Sequence, residues 1–161
     1  MILRPGLSFA YAHPAHFIAL GFGAGASRFA PGTVGTLLAF PLWWLLHPAY
    51  GALETGLILA ALFAVGVWAC DLTGRHLGVA DHGAMCWDEV VAFLAVLMIV
   101  PGEPAWQLAA FLLFRAFDVV KPPPIREVER RVKGGFGVML DDVLAAGYAL
   151  VTLAVVKRVF L

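Results

Sequence analysis

Two pairs of adjacent acids, Asp88 with Glu89 and Asp141 with Asp142, and a single acid, Asp118, stand at the edges of long apolar runs. Carboxylates at that density offer hard oxygen ligands, which suit Mg²⁺, a cation that commonly bridges to a phosphate. Arg115, Lys121 and Arg126 belong to the same part of the chain and supply positive charge for the phosphate itself. Thr33, which follows Pro31 and Gly32, predicts a capped helix start whose unpaired amides add an anion-holding group. The stretch from Phe114 to Asp142 holds six of the 11 Lys and Arg residues and five of the 11 acids. Burying ions without partners is costly, so such a segment between apolar ones reads as a solvated loop or a site, and the convergence below favours a site.

Each of these residues also has a simpler reading. Acids at a helix start are favoured by capping and by the macrodipole. Arg115, Asp118 and Lys121 have the spacing of a helical ion-pair face, and Arg130, Arg131 and Lys133 that of a basic anchor at a membrane surface. His82, beside Asp81, reads as polar loop surface before it reads as a proton shuttle. Trp43 and Trp44 read as packing or interfacial anchors. Cys70 and Cys86 form neither a CxxC pair nor a metal spacing and read as packing residues.

The elements that would position these side chains follow from the apolar runs. Of the 161 residues, 61% are hydrophobic and 14% charged, against about 45–50% and about 25% in ordinary soluble domains. That places the chain in the membrane class, as one domain over 1–161. Net charge is zero, and no basic stretch alternates with aromatics, so nucleic acid is excluded as a partner. The N-terminus lacks the apolar core and cleavage pattern of a signal peptide and is expected to be retained.

Residues 1–13 have no periodicity. Pro14 opens a short helix that Gly21, Gly23 and Gly25 cut off, and a second, starting at Thr33 and kinked at Pro41, runs to Leu46. The run from Glu54 to Cys70 is the best spanning candidate and is expected to end at Asp71. A polar loop, 71–89, precedes an apolar run to Pro101, and another helix covers 105–117 until Pro122–Pro124 stop it. The GGFG at 134–137 reads as a hinge before a last apolar segment. The pattern predicts an all-α fold, a compact membrane-embedded bundle of about five apolar helices, since helices satisfy their own backbone in lipid.

If the segments cross in turn, 47–53 and 101–104 share one side and carry no Lys or Arg. Arg4, Arg28, Arg75, Lys121, Arg126, Arg130, Arg131 and Lys133 fall on the other, which is then cytoplasmic. Thr33, Asp71, Asp81, Asp88, Glu89, Asp118, Asp141 and Asp142 gather on that same side. Lys157 and Arg158 fall on the opposite side, against the rule.

Three ordered blocks, GFGAGASRFAPGTVGTL, DHGAMCWDEVV and FRAFDVVKPPPIREVERRVKGGFGVMLDDVLAAG, resemble the phosphatidylglycerophosphatase A family from about His16 to Gly147. The resemblance implies Mg²⁺-dependent hydrolysis of phosphatidylglycerophosphate to phosphatidylglycerol and phosphate, in the cytoplasmic membrane, with a multi-pass chain and the site facing the cytoplasm. Asp88, Glu89, Asp118, Asp141 and Asp142 are then expected as ligands of one or two Mg²⁺ ions and as catalytic residues, and Thr33, Arg115, Lys121 and Arg126 as substrate-binding residues. Arg28, Cys86, Ala92 and Pro123 depart from the family pattern without removing a carboxylate. The alternative is a non-enzymatic membrane protein that binds anionic lipid through the basic stretch alone. Oligomeric state does not follow from the sequence.

Overall fold

In the computed structural model, which describes residues 5–160, every regular element is helical. Two short helices, α1 (Leu7–Tyr11) and α2 (Pro14–Ala19), lead into a 3₁₀ turn at Gly21–Ala26. Then follow α3 (Pro31–Leu46), α4 (Ala52–Leu77), α5 (Trp87–Ile99), α6 (Pro104–Val120), α7 (Ile125–Arg131) and α8 (Gly134–Phe160). Pro14, Pro31 and Pro104 each sit in the first turn of their helix, where a missing N–H costs nothing. Arg4 of the basic side lies outside the described residues.

Helix α5 is the centre. Every residue from Trp87 to Leu94 is buried, as are Val96 and Leu97, and a helix apolar all round is one enclosed by others. It packs against α3, α4 and α8, while α4 and α8 also pack on each other and α6 packs on α8. Phe93 sits among Phe40, Phe111 and Phe114, with ring centroids 5.3–5.9 Å away.

Several boundaries differ from those expected. Helix α4 does not stop at Asp71 but continues to Leu77: Arg75 pairs with Asp71 one turn back at 3.0 Å, Gly74 is accommodated as a buried residue within the helix, and the chain turns left-handed only at Gly78, φ 71°. The loop expected over 71–89 therefore shrinks to 78–86. The GGFG segment is no hinge. It is the first turn of α8, and Gly135 is there for closeness, since a Cβ on it would lie 1.9 Å from the Val67 carbonyl oxygen. Thr33 is not the cap of α3: the cap position is Ala30, left-handed at φ 41°, and Thr33 stands in the first turn behind Pro31. Residues 7–11, without visible periodicity, form α1.

Contact of Gly135 with Val67 and Asp71 sets the start of α8 beside the end of α4, so the two helices are antiparallel. At 26 and 27 residues and about 1.5 Å per residue, each is longer than the ~30 Å hydrocarbon core. Among the described residues only these two helices are long and apolar enough to cross a membrane, α3 being apolar but shorter. The 13 residues of α5 reach only about 20 Å. Embedding of some five helices is thus not a property that helix length alone supplies.

Candidate active site

The starts of α3, α5 and α8 and the ends of α4 and α6 meet at one end of the bundle. Acids in the first turns of α5 and α8 are well placed for helix dipoles, but their neighbours give them a further role. Oxygens of Asp88, Glu89 and Asp142 lie within 4.8 Å of one another, with all three residues buried. Asp88 Oδ1, Glu89 Oε2 and Asp142 Oδ2 have no hydrogen-bond partner, and an orphaned buried carboxylate oxygen costs on the order of 1–3 kcal/mol or more. Burial pushes the Asp88 carboxyl well above the usual carboxylate range, aided by the charges of Glu89 and Asp142. Burial likewise pushes Glu89 up to about 7, although a hydrogen bond with Asp88 and the nearby Arg115 work against it. Oxygen ligands, missing partners and accumulated negative charge all fit a hard divalent cation.

Arg115, one turn before Asp118 on α6, ties this cluster to its surroundings. Its Nη1 donates to Asp118 Oδ2 at 2.5 Å and to Glu89 Oε1 at 3.4 Å, while its Nε is buried without an acceptor. The α3 start comes as close as a glycine permits: a Cβ on Gly32 would stand 2.0 Å from Glu89 Oε1 and 3.1 Å from Arg115 Nη2. Thr33, one residue on, belongs to a turn whose amides the helix leaves unpaired.

Asp141 and Asp142 part company. Successive helical residues point about 100° apart, and Asp141 faces Lys121, whose Nζ donates to it at 2.5 Å and to Glu129 at 2.8 Å. Burial opposes the Lys121 ammonium, but these two carboxylates outweigh it and raise its pKa above the ordinary lysine value. Asp81, Glu129 and Asp141 form a second group with oxygens within 4.8 Å of one another. The charge of Asp118 bears on both groups, through Glu89 in one and Asp81 in the other.

The five expected ligands are therefore gathered at one end but divided, with Asp88, Glu89 and Asp142 together, Asp141 apart, and Asp118 paired to Arg115. Arg126 is not brought into either group; it is exposed and donates to the Val120 carbonyl at 3.0 Å, closing the end of α6. Asp71 is structural, pairing with Arg75 and accepting from the Gly135 N–H at 3.3 Å. His82 is buried and its Nδ1 accepts from the Ala84 N–H, so it shapes its loop. Cys70 and Cys86 are free thiols in the core. Glu129 went unnoticed in sequence because the basic residues of IREVERR surround it.

An apolar helical scaffold that gathers its acids, an arginine and a lysine at one end defines a class of protein, one built to handle a charged group at the margin of an apolar body. The model of the family described as phosphatidylglycerophosphatase A matches residues 17–157. A phosphatidylglycerophosphatase A of Haemophilus influenzae is 41% identical over 146 residues, covering 90% of each chain. That of Escherichia coli K12 is 40% identical over 134 residues, 83% of this chain and 77% of the relative. A Bacteroides thetaiotaomicron protein, provisionally named a phosphatidylinositol-3-phosphatase, is 42% identical over 149 residues, 88% of this chain and 92% of its own. No solved structure matches. The chain belongs to the phosphatidylglycerophosphatase A family, and it is an enzyme, a lipid phosphatase.

Proposed function

We propose that this protein hydrolyses the phosphomonoester of phosphatidylglycerophosphate, giving phosphatidylglycerol and phosphate, with Mg²⁺ held by Asp88, Glu89 and Asp142 at the cytoplasmic face of the membrane. The observation that carries the reading is the buried carboxylate trio with three unpartnered oxygens beside an arginine that has a buried, unused N–H. Mg²⁺ bound there supplies water of lowered pKa and charge to oppose that of the phosphate. Arg115 holds Glu89 and Asp118 in place and offers its remaining N–H groups to phosphate oxygens, the planar fork that suits such an anion. The first-turn amides around Gly32 and Thr33 complete an anion-binding edge, and Lys121 adds positive charge on the Asp141 side. Bringing these donors to one preorganised place stabilises charge as it develops at phosphorus.

Placement in the membrane is supported by the outer surface. Leu37, Trp44 and Leu45 on α3, Leu53, Leu57 and Trp68 on α4, Leu108 and Leu112 on α6, and Val151 and Val155 on α8 are all exposed, so all four helices present large apolar side chains to the outside. The acyl chains of the substrate share that environment while its phosphorylated glycerol reaches the polar end. Eight of the ten described Lys and Arg residues, Arg28, Arg75, Arg115, Lys121, Arg126, Arg130, Arg131 and Lys133, belong to the segments at the polar end, which favours a cytoplasmic orientation. Lys157 at the far end lies over the Trp106 ring, 5.9 Å from its centroid, so this cation has a partner at the other interface.

Phosphate release by purified protein in mixed micelles tests the reading. Phosphatidylglycerophosphate with Mg²⁺ is expected to be turned over and EDTA to stop it, with phosphatidic acid and phosphatidylinositol-3-phosphate poorer. Equal turnover in EDTA would remove the metal from the mechanism, and preference for the inositol lipid would reassign the head group.

A further inference from the structure

Outside the Asp88–Glu89–Asp142 trio, the polar end contains the second group, Asp81, Glu129 and Asp141, drawn from the 78–86 loop, α7 and α8. Three carboxylates face a single ammonium, Lys121 Nζ, which bonds Glu129 and Asp141. If all are ionised, two negative charges remain. Asp141 is only 4% exposed and its Oδ1 has no hydrogen-bond partner, although Oδ2 is bonded to Lys121. An unpartnered oxygen on so buried a carboxylate, set among two other carboxylates, lacks a ligand. The three acids also line one open cavity of about 240 Å³, which Arg130 and Lys133 line as well.

We propose that Asp81, Glu129 and Asp141 form a second divalent-cation site, for Mg²⁺ or Mn²⁺, distinct from the Asp88–Glu89–Asp142 site. It extends the one-cation reading above and rests on that reading for the reaction it serves. Its donors are all carboxylate oxygens, the set that hard cations select over Zn²⁺ or Cu²⁺. Lys121 is its competitor: a cation that takes Asp141 and Glu129 oxygens displaces or crowds the ammonium. Arg130 and Lys133, beside the same cavity, then serve the phosphate end of a ligand rather than only the membrane surface.

The test is cation stoichiometry, read as loss of the free Mn²⁺ electron paramagnetic resonance signal on titrating full-length protein in detergent, with circular dichroism to verify helix content. Wild type is expected to bind two Mn²⁺ per chain, and Asp88→Asn, Glu129→Gln and Asp81→Asn one each. Asp81 is an exposed loop residue, so its variant tests the site without disturbing the core. One Mn²⁺ in wild type, lost in Asp88→Asn and kept in Glu129→Gln and Asp81→Asn, overturns the second site and leaves the first intact. Two in wild type that both Glu129→Gln and Asp81→Asn retain also overturns it. No Mn²⁺ bound by wild type removes both sites together, and with them the metal-dependent reading.

Discussion

The acids divide according to what answers them: Asp71 has Arg75, Asp118 has Arg115, and Asp141 has Lys121, whereas Asp88 and Asp142 have no cationic side chain in contact among the described residues. Charge without an answering charge in the core is destabilising, so these two residues are retained at a cost that function must offset. Removing one of them should therefore harm turnover more than folding. Asp88→Asn is expected to abolish phosphate release while leaving the thermal unfolding midpoint equal to or above that of wild type, measured in detergent with EDTA. A variant that hydrolyses lipid at the wild-type rate would take Asp88 out of the chemistry. Arg115→Lys should cost roughly 10²-fold in kcat, the loss typical of one preorganised donor, because a single ammonium does not span Glu89 and Asp118 as the guanidinium does. That both acid pairs would gather at one end of the bundle was legible in the sequence, since each stands at the edge of an apolar run on the same side of the alternating segments. The separation of Asp141 from Asp142 was not, because it depends on which neighbour each helix face meets, and Lys121 and Glu129 come from other elements.

At the scale of elements, closeness between helices is bought with glycine, and two glycines of α8 give opposite expectations. A Cβ on Gly135 would meet the backbone of α4, at 1.9 Å from Val67 O and 2.7 Å from Asp71 N, and backbone cannot swing aside. Gly135→Ala should destabilise by about 1–3 kcal/mol, the usual cost of overpacking, and thermal unfolding in detergent reads it. Gly147, with nothing within 4 Å of its would-be Cβ, should gain about 0.5–1 kcal/mol on replacement by Ala. A second link at this scale joins α2 to α4: His16 is buried, its Nδ1 3.0 Å from Thr73 Oγ1 and its Nε2 3.0 Å from His76 Nδ1. Burial, then the charges of His76 and His13, lowers the His16 pKa from its ordinary 6.5. The unfolded chain then takes up a proton first, so this contribution is complete above about pH 6.5 and fades as the pH falls toward the lower folded value. Unfolding midpoints at pH 7.5 and pH 5.5 should differ less in His16→Asn than in wild type; an equal difference would show that another group governs the acid limb. The apolar runs made α3, α4, α5, α6 and α8 legible in outline. The true end of α4 and the start of α8 were not, because a polar residue can remain helical when an i,i+4 partner or a facing helix holds it, as Arg75 and Gly135 do for Asp71.

For the whole molecule, the antiparallel pair α4 and α8 joins two unlike ends. One carries the carboxylate groups and most of the basic residues; the other carries the turn before α4 and the turn before α6, which have no Lys or Arg. If the pair spans the bilayer, those ends face opposite compartments, and the positive-inside rule assigns the site end to the cytoplasm. The two natural cysteines are fully buried, so a single introduced thiol can report its own side against little background. Arg131 and Tyr50 are exposed and lie toward opposite ends. With a membrane-impermeant maleimide, Tyr50→Cys is expected to label in intact spheroplasts and Arg131→Cys only in inverted vesicles. Labelling of both from the cytoplasmic side would mean that α4 and α8 re-enter or lie along one leaflet, and the exposed apolar faces would then be docking in the interface instead of crossing it. The reverse pattern would put the carboxylate end outside and overturn the cytoplasmic assignment. The expected pattern leaves the substrate's acyl chains beside the exposed apolar residues of α4, α6 and α8 and its phosphate at the carboxylate end, with no step in which a charged head group passes through hydrocarbon.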